Sequence, residues 1–210
     1  MAMITIVGCG PGALDHLLPV AHRAIAEADV LVGAKRLLAL FPTMTAERIV
    51  VGANIPQLLD QMAPRVGRAN IAVLVTGDPG VCSLAQPVIQ RFGRENCRVI
   101  PGISSVQVAF ARLGLDWFGA RLLSAHERIP ELDTADLRMQ DKIAVLAGNA
   151  ATTPWIAALA ARLAGTHAVF VCQDLTLPEE QVRSLSPAEL AASTLPSRTV
   201  VLFVRKERMQ

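Results

Sequence analysis

The sequence predicts an α/β fold made of two αβα domains. Short apolar, β-branched runs alternate with longer segments of helical period along the whole chain, and this alternation is typical of the α/β class. The chain has 210 residues, of which 52% are apolar, so it is long enough to form two sheets. A segment bounded by glycines, 114–119, separates the two halves. We therefore expect domains at 1–115 and 119–210, with a cleft between them in which a small ligand would bind.

Four apolar runs in the first half predict strands, and four segments of helical period predict helices. Pro19 favours a helix that begins close to it, because proline is well tolerated at the first helical position and costly inside a helix. The predicted strands are 4–7, 29–32, 71–75 and 98–100, and the predicted helices are 20–28, 55–63, 82–92 and 105–113.

The second half repeats this pattern. A helix over 154–163 follows Thr152 or Thr153, either of which is a suitable N-cap residue. The polar stretch 126–142 predicts a surface helix or an exposed connection. The predicted strands are 121–124, 143–146, 168–172 and 199–204.

The turn Gly8-Cys9-Gly10-Pro11-Gly12-Ala13 has the G-x-G-x-x-A spacing of a dinucleotide-binding turn. Its context disagrees with that function in two ways. Pro19 places the start of the next helix too far from the glycines for the helix dipole to act on a phosphate, and Asp29 precedes the next strand instead of ending it. A dinucleotide site is therefore disfavoured. A purely structural turn is the alternative, although it leaves Pro11 unexplained.

Composition argues against several classes of function. The net charge is +2 and the basic residues are spread along the chain, so nucleic acid is not an expected partner. No apolar run approaches the roughly 18 residues that a membrane-spanning helix needs, so no membrane association is expected. The four cysteines are far apart in sequence, which argues against a zinc site or a disulfide framework. We expect a cytoplasmic protein that binds no metal.

Two further loops follow predicted strands and carry groups able to contact a ligand. Thr76-Gly77-Asp78-Pro79-Gly80 supplies backbone N–H groups and one carboxylate at a strand end, which is where open α/β sheets bind ligands. Pro101-Gly102-Ile103-Ser104-Ser105 brings two hydroxyl groups to the start of a helix, and capping explains only one of them. An ordinary Asp-Pro-Gly turn is the alternative for the first of these loops.

Two histidines near predicted loops are candidates for acid–base chemistry. His126 lies in the segment Ser-Ala-His-Glu-Arg, beside a carboxylate and a guanidinium, and His16 lies close to the first glycine turn. No serine or cysteine has an assignable partner, so a hydrolytic triad is not supported. Asp78, His126 and His16 are therefore the candidates for proton transfer.

Together, in this order and spacing, the three glycine loops resemble those of the tetrapyrrole methylase family, whose members transfer methyl groups from S-adenosylmethionine. The resemblance covers nearly the whole chain. Four segments, 33–38, 105–114, 124–128 and 173–182, are more narrowly similar to the branch that methylates C-5 of precorrin-7 or cobalt-precorrin-7 in cobalamin biosynthesis. Within the family, the alternatives are a member that acts on another ring position or on uroporphyrinogen III, and the more distant diphthine synthase. Outside it, they are a dinucleotide-binding oxidoreductase and a non-catalytic ligand-binding protein.

The resemblance implies a homodimer with S-adenosylmethionine bound between two domains, and a corrinoid as the small-molecule substrate. C-15 methylation and decarboxylation would belong to a separate protein, a candidate partner. Catalysis would rest mainly on positioning, with no metal or covalent nucleophile required. By motif position, the cofactor would contact Pro11, Gly77, Asp78, Val81, Ser104 and Ser105 and, by a looser alignment of strand ends, Leu146, Gly148, Cys172 and Thr199. The candidates to bind the substrate's carboxylates are Lys35, Arg36, Arg112 and Arg128.

Overall fold

The computed structural model describes residues 2–126, 129–130, 134–148 and 150–209. The chain forms two compact units, Met1–Ser104 and Ser105–Gln210, and each contains a five-stranded sheet and helices. The predicted α/β class is confirmed. The units divide earlier in the chain than the expected limits of 1–115 and 119–210, because helix α5 (Ser105–Arg112) packs against a strand of the second sheet.

The first sheet is parallel throughout. Its strands are β1 (Ile4–Gly8), β2 (Val30–Gly33), β3 (Glu47–Val50), β4 (Ile71–Val75) and β5 (Cys97–Ile100). They lie in the order β3-β2-β4-β1-β5. The central strand β4 is buried at every position, as expected of a parallel strand that is covered on both faces. Successive residues of β1, such as Ile6 and Val7, belong to two different apolar clusters, one on each face.

Local chemistry explains several of the helix ends in the first unit. They are α1 (Pro19–Ala26), α2 (Lys35–Leu38), α3 (Ile55–Met62) and α4 (Ala85–Phe92). The prediction that Pro19 starts a helix is confirmed. The Asn54 side chain caps α3 by accepting the N–H of Gln57 at 3.0 Å, and Gly93 ends α4 with a φ of 88°.

The second sheet is mixed. Its strands are β6 (Arg121–Ser124), β7 (Lys142–Ala147), β8 (His167–Gln173), β9 (Gln181–Ser184) and β10 (Thr199–Arg205), in the order β6-β7-β10-β8-β9. Strand β6 is parallel to β7, whereas β10 is antiparallel to both of its neighbours and β9 is antiparallel to β8. Consequently the carboxyl ends of β6, β7 and β8 and the amino end of β10 lie along the same edge.

Besides α5, the second unit contains α6 (Thr134–Arg138), α7 (Thr153–Leu163) and α8 (Pro187–Ala191). Helix α6 lies within the polar stretch predicted as a surface helix or an exposed connection. Thr152 occupies the N-cap position of α7, but its side chain makes no capping hydrogen bond. The Thr153 hydroxyl accepts the N–H of Leu195 at 3.1 Å, which joins α7 to the segment before β10.

All four cysteines are free thiols, with Cys9 and Cys172 buried and Cys82 exposed. Within the described residues, no three His, Cys, Asp or Glu side chains are grouped so that they could hold a metal ion. None of the helices in the described part of the chain is long and apolar enough to cross a membrane.

His167 should make the protein less stable in mild acid. The residue is 2% exposed, and its Nε2 donates to the Gln140 carbonyl oxygen at 2.8 Å. Burial lowers the pKa of His167 below its ordinary value of 6.5. The unfolded chain therefore binds a proton more readily than the folded chain, so stability should be lost as the pH falls below 6.5 and through the lower folded pKa.

Urea midpoints measured at about pH 7.5 and about pH 5.5 test this expectation against a His167→Gln variant. On acidification, the urea midpoint of the wild-type protein should fall further than that of the variant. An equal loss in both proteins would assign the acid sensitivity to other groups.

Candidate functional site

The three glycine loops of the sequence meet at the carboxyl edge of the first sheet. Strands β4 and β5 flank β1, and the pairing of β1 with β4 continues past the strand ends. The Cys9 N–H donates to the Val75 carbonyl at 2.9 Å, and Gly10 and Gly77 exchange two backbone hydrogen bonds of 3.3 and 2.7 Å. The loops that follow β1 and β4 are therefore joined directly by backbone atoms.

Two glycines allow a very close approach of these loops. A Cβ atom on Gly8 would lie 2.5 Å from the Gly102 nitrogen and 2.8 Å from the Gly77 carbonyl oxygen, so no side chain fits there. Gly10 has a φ of 73°, which favours glycine. The glycine spacing thus serves loop packing, and α1 starts only at Pro19, after a short 3-10 turn over Leu14–His16.

Asp78 holds two of the loops together. Its Oδ1 accepts the N–H of Gly80 at 2.8 Å, and its Oδ2 accepts the N–H of Gly102 at 3.0 Å. Both carboxylate oxygens are thus engaged by backbone donors, one in the loop after β4 and one in the loop after β5. This arrangement fixes the loops and explains why a carboxylate stands in the Thr-Gly-Asp-Pro-Gly segment.

The residues predicted to contact a cofactor in the first unit lie around this junction. Pro11 is buried and directly follows Gly10 of the Gly10–Gly77 bridge, Gly77 is itself buried in that bridge, and Val81 is half-buried beyond Asp78. Ser104 is 7% exposed and follows the Gly102 loop. Ser105, also predicted, is the first residue of α5 in the second unit.

Arg36 connects helix α2 to the same edge. Its guanidinium donates to the Thr76 hydroxyl, so the residues after β2 are tied to the loop after β4. Burial raises the pKa of the Cys9 thiol to about 12, against smaller opposing effects of the Val75 backbone and the Arg36 charge. Cys9 is therefore a protonated, buried thiol. The side chains of Lys35 and Arg36, in contrast, are exposed to solvent.

His16 lies over the first glycine turn. A Cβ atom on Gly10 would lie 2.7 Å from the His16 carbonyl oxygen. The His16 Nδ1 atom is buried and has no hydrogen-bond partner among the described residues.

In the second unit, the predicted residues lie along the edge shared by β6, β7, β8 and β10. Thr199 is in register with Ala147 on one side and Gln173 on the other. His126 Nδ1 lies 3.1 Å from the Ala147 carbonyl oxygen and therefore donates to it, because a carbonyl oxygen only accepts. Gly148 packs against the β6 end, since a Cβ atom on it would lie 2.5 Å from the Ala125 carbonyl oxygen.

The register separates these residues onto two faces. Leu146 and Cys172 both pair with Val200 and lie on one face, whereas Thr199, one position earlier, lies on the other. Cys172 is fully buried, and burial raises the pKa of its thiol to about 12. Thr199 is 2% exposed, and its hydroxyl has no hydrogen-bond partner within the described residues. A buried hydroxyl without a partner is costly, so this atom is suited to pair with a polar group of a bound molecule.

Arg112 and Arg128 are the two remaining basic residues predicted to bind substrate carboxylates. Arg112 makes a two-pronged ion pair with Glu180, with Nε 2.5 Å from Oε1 and Nη2 3.1 Å from Oε2. Glu180 was not singled out by sequence, although it lies in the segment 173–182 that carries the narrower resemblance. Arg128 lies outside the described residues.

Comparisons with known proteins identify the family of the chain. Residues 3–191 match the family model of the Tetrapyrrole (Corrin/Porphyrin) Methylases. The chain is 34% identical over 204 residues to cobalt-precorrin-7 C(5)-methyltransferase from Salmonella typhimurium, and this match covers 97% of the chain and 100% of that protein. It is 30% identical over 158 residues to the decarboxylating precorrin-6Y C(5,15)-methyltransferase from Mycobacterium tuberculosis, covering 75% of the chain and 39% of that protein.

A solved structure shares the fold. The uroporphyrin-III C-methyl transferase from Thermus thermophilus complexed with S-adenosyl homocysteine matches with a TM-score of 0.78 and 20% identity, and 100% of each chain is covered. The family model and the relatives confirm the resemblance inferred from the glycine loops. The chain therefore belongs to the tetrapyrrole (corrin/porphyrin) methylases, a family of methyltransferases.

Proposed function

We propose that the protein transfers a methyl group from S-adenosylmethionine to C-5 of cobalt-precorrin-7 or precorrin-7 in cobalamin biosynthesis. One observation carries this proposal: the 34% identity to the Salmonella protein named for that reaction extends over 97% of the chain and all of that protein. The junction of three loops at the first sheet is consistent with it, because ligands of open α/β sheets bind at the carboxyl ends of the strands.

The proposal assigns residues at each of the two sheet edges to S-adenosylmethionine. In the first unit, Pro11, Gly77, Val81 and Ser104 would contact it, together with Asp78, which fixes the loops. Ser105, at the start of α5, would contact it from the second unit. In the second unit, the Thr199 hydroxyl, for which the described part of the chain offers no hydrogen-bond partner, would supply a hydrogen bond. Leu146 and Gly148 would complete the contacts there, and Cys172 would contribute main-chain atoms because its thiol is buried.

When bound, S-adenosylmethionine would supply a methyl group on a sulfonium, which an electron-rich carbon can take by direct displacement: a C–C bond forms, the S–CH3 bond breaks, and S-adenosylhomocysteine is the leaving group. The protein's task is then to align the two reactants and exclude water. Its buried thiols are protonated, and both oxygens of Asp78 are already bonded to backbone donors. Any proton transfer would fall to His16 or His126, whose ring nitrogens lie at the two sheet edges.

The proposed reaction is tested by its product. The purified protein is incubated with methyl-labelled S-adenosylmethionine and precorrin-7, with and without cobalt, and the labelled carbon is located by NMR. We expect the label at C-5. Label at another ring carbon would assign the protein to a different step of the family's chemistry, and no transfer to either substrate would overturn the proposal.

Lys35 and Arg36 are proposed to bind the peripheral carboxylates of the substrate. Replacing Arg36 by alanine should raise KM for the corrinoid about tenfold and leave kcat nearly unchanged, the result expected when one charge-assisted hydrogen bond is lost from ground-state binding. Steady-state kinetics with the corrinoid as the varied substrate measure this effect.

A Thr76→Val variant is the matched control, because it removes the internal partner of Arg36 and keeps the guanidinium. Its KM should stay close to the wild-type value. If both variants raised KM equally, Arg36 would act by holding the loop after β4 and not by binding substrate.

We also propose a cytoplasmic homodimer that works with a separate protein for the C-15 chemistry. The Mycobacterium relative is named for both positions, and the match covers only 39% of it, which supports assigning the C-15 chemistry to sequence outside the matched region. The product of the assay should accordingly keep its acetate side chain, and light scattering should give twice the mass of one chain.

A further inference from the structure

We propose that Arg112 is a positioning residue, which acts through Glu180 to hold the loop 174–180 beside the second unit's part of the cofactor site. This inference rests on the proposed function. It reassigns Arg112, which sequence reasoning offered as a ligand for substrate carboxylates.

The backbone of this loop is strained. Asp174 has a φ of 48° and Thr176 has a φ of 71°, in the left-handed region that non-glycine residues rarely adopt. Such conformations persist only where the surrounding structure imposes them. The interactions that impose them should therefore be found next to these two residues.

Carboxylate groups and arginines hold both strained positions. Glu180 Oε2 accepts the Thr176 N–H at 2.5 Å while the same carboxylate pairs with Arg112. The carboxylate of Asp174 pairs with Arg198 Nε at 2.8 Å, and the Asp174 N–H donates to the Arg198 carbonyl at 3.1 Å. Arg112 thus fixes the orientation of the carboxylate that holds Thr176.

The loop borders the edge at which the cofactor residues lie. It begins directly after Gln173, the last residue of β8, and its partner Arg198 directly precedes Thr199. Glu180 directly precedes β9, in which Val182 is in register with Cys172, so the carboxylate belongs to the chain segment next to that residue. A displaced loop would therefore alter the surroundings of Thr199 and Cys172.

The geometry also argues against a direct role in substrate binding. Arg112 already directs Nε and Nη2 to the two oxygens of Glu180, the pairing that a substrate carboxylate would need. A substrate carboxylate that took this same face of the guanidinium would have to displace Glu180 from Arg112.

The test compares Arg112→Gln, Glu180→Gln and the double variant. Three quantities are measured: the Kd of S-adenosylhomocysteine by calorimetry, the hydrogen exchange of the Thr176 amide, and KM for the corrinoid. Each single variant should weaken the binding of S-adenosylhomocysteine about tenfold and accelerate hydrogen exchange at the Thr176 amide. The double variant should show effects no larger than those of either single variant, and KM for the corrinoid should not change in any of them. Arg208→Gln, which breaks a separate exposed pair with Asp141 in the same unit, should leave all three quantities unchanged.

A raised corrinoid KM in Arg112→Gln alone, with normal S-adenosylhomocysteine binding, would overturn the inference. Additive effects in the double variant would also overturn it. The same holds if hydrogen exchange at the Thr176 amide were unchanged in Glu180→Gln, a near-isosteric substitution that keeps Arg112. Calorimetry and exchange need no corrinoid, so they remain decisive even if methylation occurs at a carbon other than C-5.

Discussion

Replacing Gly102 by alanine should abolish binding of S-adenosylhomocysteine and lower the free energy of unfolding by about 3 kcal/mol or more, at the upper end of the cost of overpacking. The new Cβ atom would lie 2.8 Å from the Cα and carbonyl carbon of Gly8, and closer still to the Gly77 carbonyl oxygen. These are backbone atoms of central strands or of the loops that follow them, so no side chain can rotate away. Urea denaturation and calorimetry measure the two effects.

Gly52→Ala is the matched control in the same unit, because a Cβ atom there would meet nothing within 4 Å. This variant should bind S-adenosylhomocysteine normally and be as stable as the wild-type protein or slightly more so. If Gly102→Ala behaved like Gly52→Ala, the three loops could not be packed as closely as the structure places them.

The buried centre of each sheet could be predicted from sequence, but only one of the two edge strands in each sheet could, namely β5 and β6. Strand β4 is a continuous apolar run, Ile-Ala-Val-Leu-Val, buried at every position. Strand β3 reads Glu-Arg-Ile-Val and buries only Ile49, and strand β9 reads Gln-Val-Arg-Ser with no buried residue. Edge strands take their hydrogen bonds from a neighbouring strand, so their own side chains carry little apolar signal. The short helices α2 and α8 were missed because four or five residues do not show a helical period.

In the candidate site, too, some features could be predicted from sequence and others could not. The glycine loops and Asp78 could be found because each lies in a short local motif that follows a strand. The pairs Arg36–Thr76 and Arg112–Glu180 join residues 40 and 68 positions apart, and only the folded topology brings them together. The side-chain directions of Cys172 and Thr199 depend on strand register, since a shift of one residue exchanges the two faces.

Changing Asp78 to asparagine should lower kcat/KM about a hundredfold and weaken the binding of S-adenosylhomocysteine at least about tenfold. The reason is that charge-assisted hydrogen bonds contribute about 1.5–3 kcal/mol each. The amide keeps one acceptor oxygen, but its NH2 group must face the N–H of Gly80 or of Gly102. One of the two loops therefore loses its attachment. Calorimetry and steady-state kinetics on the same preparation give both quantities.

Asp29→Asn separates loop positioning from general stability. The Asp29 carboxylate also accepts a backbone N–H, that of Asn70 at 2.8 Å, but it does so at the amino end of β2, away from the glycine loops. This variant should lose stability comparable to Asp78→Asn while it keeps its activity and its affinity for S-adenosylhomocysteine. A proton-transfer role for Asp78 would give a different pattern, in which kcat falls and the Kd of S-adenosylhomocysteine is unchanged. Because both oxygens of Asp78 already accept backbone donors, we expect the Kd to change together with the rate.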